Sequence, residues 1–243
     1  MDSRGDQSPP PGRGLSVVIP ALNEEEVIGD LLRHLSGLPG IHEVVVVDGG
    51  STDGTAELVQ RCPAARLVRS EPGRGLQLRA GGSAAEGEVL LFLHADVVPP
   101  RDVAEQIAGA LEQGFVGGNF RLRYPGGGTL GRWLEVLGLL YRRLGRYYGD
   151  SGIFAARAAY QRCGGFPAVP IMEDVIFVQR LERAGRTAHL PGPMTSSPRR
   201  WQGSPAGAAK TLALWAFMQA AYALGATPWQ LARFYRPQRE DPR

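Results

Sequence analysis

The chain is poor in cysteine, with only Cys62 and Cys163. They lie far apart and form neither a CxxC pair nor a zinc-ligand spacing, so free thiols in a reducing compartment are expected. Lysine is scarcer still: Lys210 is the only one, and the balance of charges leaves +3 at pH 7. An excess that small, with no clustered basic patch, gives no case for a nucleic-acid partner. No GxGxxG follows the first predicted strand, which removes a Rossmann dehydrogenase, and the absence of GK[ST] removes a P-loop enzyme. No DxDxT accompanies the string His94-Ala-Asp96, so that string is not a phosphatase signature. No internal repeat is present.

Residues 1–14 (MDSRGDQSPPPGRG) lack an apolar core and read as a disordered tail rather than a signal peptide. Export is therefore not expected, and the predicted location is cytoplasmic, with the inner face of the cell membrane as one option. Thr211 to Ala232 contains no charged residue. On paper it is long enough to span a bilayer, but Gln219, Gly225, Thr227, Pro228 and Gln230 interrupt it. It reads as two helices broken at Pro228, buried or lying on a membrane surface.

What is present is ordinary for a soluble globular chain: 243 residues, 43% hydrophobic and 21% charged, enough for a sizeable core. The apolar run 15–19 predicts a first strand. Asn23 and three glutamates then open a helix, with Val27, Ile28, Leu31, Leu32 and Leu35 at helical spacing. Residues 44–47 and 66–69 predict further strands, with a helix starting at Asp53 between them, and 74–85 a helix rich in small residues. Residues 89–93 form an apolar run suited to a strand buried on both faces. The alternation predicts an α/β fold with a mostly parallel sheet, whose strand ends at Pro20, Asp48 and Asp96 share one rim. Beyond it the pattern predicts helices at 102–113, 129–148 and 174–184 and strands at 117–124 and 187–190.

Four stretches carry chemistry. Val17-Val-Ile-Pro-Ala-Leu-Asn-Glu-Glu25 is a strand opening into a loop. In Val44-Val-Val-Val-Asp-Gly-Gly-Ser-Thr-Asp-Gly-Thr55 a strand ends in Asp48, and two glycines let a ligand approach the backbone. Gly73-Arg-Gly-Leu-Gln-Leu-Arg-Ala-Gly-Gly-Ser83 places Arg74 and Arg79 beside a helix start, a cationic site suited to phosphates. Glu88-Val-Leu-Leu-Phe-Leu-His-Ala-Asp96 ends a central strand in two metal-ligand types, at the edge where open α/β sheets keep their chemistry. The structural alternative for Asp96 is a cap for the helix after Pro100.

In this order and spacing the stretches resemble the family 2 glycosyltransferases of the GT-A fold, over roughly residues 15–200. The resemblance implies a GT-A domain at 15–203, a C-terminal helical extension at 204–236 packed on the domain or on a membrane surface, and a tail at 237–243. It implies that Pro20, Ala21, Asn23 and Glu24 line a nucleotide pocket. Asp48, beside Gly49, would contact the donor base, Arg79 would face the diphosphate, and Ala95 would lie against the donor. Asp53 fits either the donor side or a helix N-cap.

Asp96 matches the last Asp of the family's DxD motif, which holds a divalent metal. Mg²⁺ and Mn²⁺ both suit its oxygen chemistry. His94 departs from the pattern; it either adds a nitrogen ligand, favouring Mn²⁺, or packs at the strand end. Glu173-Asp174 matches the family's acidic pair, with Asp174 as base for the acceptor hydroxyl and Glu173 as the neighbouring alternative. Asp150 would shape the acceptor side. Arg199, Arg200 and Trp201 resemble the motif of processive members, but Ser197 stands where those have Gln, which argues against processivity.

The implied activity is transfer of a sugar from a UDP- or GDP-sugar to an acceptor hydroxyl, metal-dependent and inverting. The acceptor is undefined, with a lipidic one as an option, and a homo-oligomer is a further option. Two other readings stay open: a non-catalytic nucleotide-sugar or lipid-binding module, and a sugar-phosphate nucleotidyltransferase.

Overall fold

The structure, a computed structural model, describes residues 14–143, 147, 149–196 and 205–235. Its first half alternates as predicted: β1 (Leu15–Ala21), α1 (Glu25–Ser36), β2 (Ile41–Asp48), α2 (Thr55–Gln60), β3 (Ala65–Arg69), α3 (Arg74–Ala84) and β4 (Val89–Phe92). Then follow β5 (Val97–Val98), α4 (Val103–Glu112), β6 (Gly117–Arg123), α5 (Gly128–Arg143) and a 3-10 turn (Gly149–Ser151). The chain continues through β7 (Ile153–Ala156), α6 (Arg157–Arg162), α7 (Glu173–Ala184), β8 (Thr187–Ser196), α8 (Pro205–Ala223) and α9 (Pro228–Ala232).

The strands make one sheet in the order β3-β2-β1-β4-β7-β6-β8-β5. β3, β2, β1 and β4 are parallel neighbours, as predicted. β7 runs against both β4 and β6, and β5 runs against β8. β1 is buried along its whole length, which is why it carries no alternation of polar residues. Its successive side chains divide the core in two. Val17 and Ile19 face the layer of α1 and α4, against Ile28, Leu31, Leu35 and Ile107. Val18 faces the layer of α3, α6 and α7, against Leu78, Tyr160 and Phe177. Each such side chain removed from water contributes about 1.5–3 kcal/mol. Phe92, Phe166 and Phe177 interlock in that second layer, the last two with ring centroids 4.3 Å apart.

The small residues of α3 have a packing reason. A Cβ on Gly81 would collide with Val18, and one on Gly82 with Tyr160, so the helix lies closer to the sheet than a bulkier one could. β5, β7 and α6 were not predicted. β8 runs well past the predicted 190 because residues 191–193 loop out between two stretches of pairing with β6, Phe120 opposite Leu190 and Leu122 opposite Met194. Prolines at 191 and 193 are tolerated in such a bulge. The break at Pro228 is present: Thr227 caps α9 by accepting from the Gln230 N–H, and the Gln230 side chain returns to the Thr227 N–H. α8 and α9 pack through Met218 and Leu231 onto Ile171 and Met172, directly before α7. The predicted boundary at 203/204 lies outside the described residues.

Candidate active site

Three parallel strands, β2, β1 and β4, deliver their carboxyl ends side by side. Asp48 pairs in register with Ala21, and Val18 with Phe92, so Asp48 and the turn that carries His94 and Asp96 leave the sheet on either side of the end of β1. Asp48 is buried and its carboxylate accepts the Ser51 N–H at 3.0 Å, which folds the chain back at Gly49 and Gly50.

The loops after β1 and β2 are fastened to each other. Asn23, at φ 54°, donates its N–H to Ser51 Oγ and accepts the Thr52 N–H on its own side-chain oxygen. The Glu24 N–H goes to Thr55 Oγ1, and the Gly54 N–H to the Glu25 carboxylate. Asp53 accepts from the Thr55 N–H and hydroxyl and from the Glu25 N–H. Burial raises its pKa, but these hydrogen bonds outweigh it and hold the carboxyl below the usual aspartate value. Asp53 thus staples the two loops together just before α2, whose N-cap is Gly54, and its carboxylate is taken up in that task. Gln77, which the sequence did not single out, donates from its buried amide to the carbonyls of Ala21 at 2.7 Å and Val47 at 2.9 Å. It ties α3 to the ends of β1 and β2 and fills the space where a Cβ on Gly49 would fall.

The second half of the site forms around α7. Glu173 and Asp174 occupy its first turn, where the helix dipole favours negative charge. The Arg74 side chain, from the first turn of α3, pairs with the Glu173 carboxylate and lies 3.8 Å from that of Asp174. Gly75 permits this approach, since a Cβ there would lie 2.5 Å from the Pro167 carbonyl. Glu173 is 1% exposed; burial pushes its pKa up, Arg74 opposes this, and the Asp174 charge adds to it. Both carboxylates hold the Arg74 guanidinium in its charged form against the opposing effect of burial.

Asp174 also accepts the Gly149 N–H at 3.2 Å, and Gly149 packs directly on the ring of His94. The turn that carries Gly149 carries Asp150, whose carboxylate accepts the Tyr124 hydroxyl at 3.0 Å. One chain of contacts therefore links the end of β4, the turn before β7, and the starts of α3 and α7. Among the described residues no cluster of three or more His, Cys, Asp or Glu could by itself hold a metal ion. Asp96 and His94 fit only a site completed by oxygens from a ligand, the usual way a magnesium ion is held beside a phosphate.

The predicted residues divide accordingly. Pro20, Ala21, Asn23, Glu24, Asp48, Gly49, His94, Ala95, Asp96, Asp150, Glu173 and Asp174 all lie at this edge of the sheet. Arg79 is exposed in the middle of α3, on the side toward Tyr160, while Arg74 meets the carboxylates. Arg199, Arg200 and Trp201 lie outside the described residues. A groove of ≈ 720 Å³ between α4 and the first half of β8, lined by Glu105, Gln106, His189 and Leu190, belongs to the opposite end of that strand and shares no residue with the site.

The family described as glycosyl transferase family 2 matches residues 16–162. The chain belongs to this family. Glucosyl-3-phosphoglycerate synthase of Mycolicibacterium smegmatis is 37% identical over 99 residues, which cover 37% of this chain and 33% of that protein. Undecaprenyl-phosphate 4-deoxy-4-formamido-L-arabinose transferase of Pseudomonas fluorescens is 30% identical over 118 residues, 44% of this chain and 35% of the relative. The chain thus spans about a third of the length of the curated relatives it matches.

Among solved structures, S. aureus TarS 1–349 superposes with a TM-score of 0.63 at 19% identity, covering 77% of this chain and 62% of that one. Glucosyl-3-phosphoglycerate synthase from Mycobacterium tuberculosis, in complex with Mn²⁺, UDP-glucose and phosphoglyceric acid, superposes with a TM-score of 0.57 at 26% identity, covering 73% and 69%. The fold is the GT-A fold expected from the sequence. Family membership disfavours the nucleotidyltransferase and binding-module readings.

Proposed function

We propose that the protein transfers a sugar from a nucleotide-diphosphate donor to an acceptor hydroxyl with inversion. The observation that carries this is the contact of Gly149 with both His94 and Asp174, which joins a donor edge to an acidic pair. In this reading the zipped loops of Asn23, Glu24 and Asp48 hold the nucleoside, and Gln77 keeps the ends of β1 and β2 in place beneath it. The Mn²⁺- and UDP-bound structure of the mycobacterial synthase favours a UDP-sugar over a GDP-sugar.

Asp174 takes the proton of the acceptor hydroxyl. That oxygen forms a bond to the anomeric carbon as the bond from that carbon to the diphosphate oxygen breaks, and the diphosphate leaves with the electron pair. Asp96, with His94 beside it, would hold Mg²⁺ or Mn²⁺, which supplies positive charge to the diphosphate when bound. Glu173 anchors Arg74, which keeps a cation next to the base, and Asp150 borders the acceptor. Arg74 takes the place expected of Arg79 as the cation beside the acids; Arg199, Arg200 and Trp201 are assigned to the acceptor or diphosphate side, and transfer is non-processive.

The proposed extents are a GT-A domain at 15–203 and a helical extension at 204–236, flanked by tails. The acceptor we favour bears a lipid, and the enzyme works in the cytoplasm at the inner face of the membrane. Support comes from the apolar α8 and α9 beside α7; among the described residues no helix is long and apolar enough to cross a membrane.

The test is a panel of UDP- and GDP-sugars with Mg²⁺ or Mn²⁺, scored for nucleoside diphosphate release. Wild type is expected to turn over at least one donor, and Asp96→Ala and chelation of the metal to abolish turnover. Retention of full turnover in Asp96→Ala would overturn the metal assignment.

A further inference from the structure

Exposed large apolar side chains are concentrated in two places among the described residues. One is α5, with Trp133 at 68% and Leu140 at 51% exposed. The other is α8–α9, where Phe217, Leu224, Trp229 and Phe234 are 50%, 89%, 60% and 60% exposed. Of the described side chains of α8 only Met218 is fully buried, although the stretch Thr211–Ala232 contains no charged residue. A helix that is apolar all round is normally covered on all sides. Here one side rests on Ile171 and Met172, and the other is open. An apolar surface of this kind marks a place where something docks.

Charge selects the occupant. No Asp or Glu occurs between Glu182 and Glu240. The apolar face is bounded by Lys210 and Arg233, both exposed. A second copy docked antiparallel through α8–α9 would set these cations against each other with no acid in the segment to pair them. Segments of the chain outside the described residues offer little cover: 1–13 and 236–243 contain one large apolar side chain, Met1, and 144–146, 148 and 197–204 add only Leu144, Tyr148 and Trp201. An anionic bilayer meets both demands. Its acyl boundary takes Leu224, Trp229 and Phe234, and its head groups meet Lys210 and Arg233.

We propose that α8–α9 is a docking face for an anionic lipid bilayer. The helices lie between this face and the residues immediately before Glu173 and Asp174, so docking holds lipid-borne hydroxyl or phosphate groups one helix diameter, roughly 10 Å, from that stretch. That consequence deepens the glycosyltransferase reading and rests on it; docking itself does not.

The experiment is flotation of the full chain with phosphatidylcholine vesicles, with and without phosphatidylglycerol, alongside its solution mass and nucleoside diphosphate release. The wild type is expected to float with the anionic vesicles and to be released by salt. The triple variant Leu224→Ser, Trp229→Ser, Phe234→Ser should float about tenfold less or worse while keeping its thermal midpoint, because the three side chains are mostly solvated. No flotation of the wild type, or a wild-type dimer that the triple variant dissociates, overturns the proposal. Flotation failing while donor turnover persists leaves the catalytic reading intact. Flotation without any donor turnover leaves docking intact and removes the catalytic reading.

Discussion

Gly149 lies so close to His94 that a Cβ added to it would fall 2.5 Å from the imidazole Nε2. The same residue gives its N–H to Asp174. Gly149→Ala is therefore expected to displace the ring and loosen the base together. We expect kcat/KM to fall about 10- to 100-fold, with a stability loss of about 1–3 kcal/mol. Steady-state kinetics beside a denaturant titration checks this. A wild-type kcat/KM would show that the contact does not matter.

Asp174 and Glu173 differ in burial and partners, and their variants should differ in kind. Asp174→Asn is expected to lower kcat by about 10²–10⁴-fold with little change in thermal midpoint. Glu173→Gln should retain more activity and lose more stability. Comparing kcat and melting temperature for the pair reads both effects, and near-wild-type transfer by Asp174→Asn would reassign the base.

Arg74→Ala leaves the Glu173 carboxylate, 1% exposed, without its cation. The expected cost is about 2 kcal/mol, less than for a fully enclosed pair because Arg74 is 32% exposed. In a double-mutant cycle, adding Glu173→Gln should recover part of that loss, since the neutral amide needs no counter-charge. Strict additivity would contradict the pairing.

Gln77→Ala strips hydrogen bonds from two buried carbonyls, Ala21 and Val47. About 2 kcal/mol of stability should go with them. Donor KM should rise more than kcat falls, because the residue supports the nucleotide edge and stands apart from the acidic pair.

Glu43 supplies the pH prediction. Burial raises its pKa, but the Glu86 N–H, the Ser16 hydroxyl and Arg66 together hold it below the usual glutamate value. Its folded pKa is depressed, so its contribution is present above the ordinary value of about 4.3 and is lost as pH falls through the folded value. Thermal melts from neutral to acid pH should show a flatter acid limb in Glu43→Gln than in wild type.

The strands buried on both faces were legible in the sequence because burial on two sides leaves an uninterrupted apolar run, as in 15–19, 44–47 and 89–93. β7 was not, since four residues between Gly152 and Arg157 make no pattern longer than chance. The second half of β8 was hidden by prolines that the bulge makes harmless. At the site, Asp48, Asp96 and Asp174 announce themselves as carboxylates at strand ends and at a helix start. Gln77 and Gly149 do not, because their roles depend on partners 25 to 56 residues away. Arg74 and Arg79 are five positions apart on one helix, and only the rotation of α3 against the sheet decides which one meets the acids.

β7 is antiparallel to its neighbours, so it meets the active edge with its beginning while β1, β2 and β4 meet it with their ends. The connection from β6 to β7, which contains α5 and the turn at Gly149, therefore leaves and re-enters the sheet on that one edge. α5 lies within this excursion, whereas the turn at its end is tied to the site, Gly149 to Asp174 and His94 and Asp150 to Tyr124. A change of acceptor is therefore expected to come from variation in α5, with the Gly149 turn kept so that the donor edge stays joined to the acidic pair.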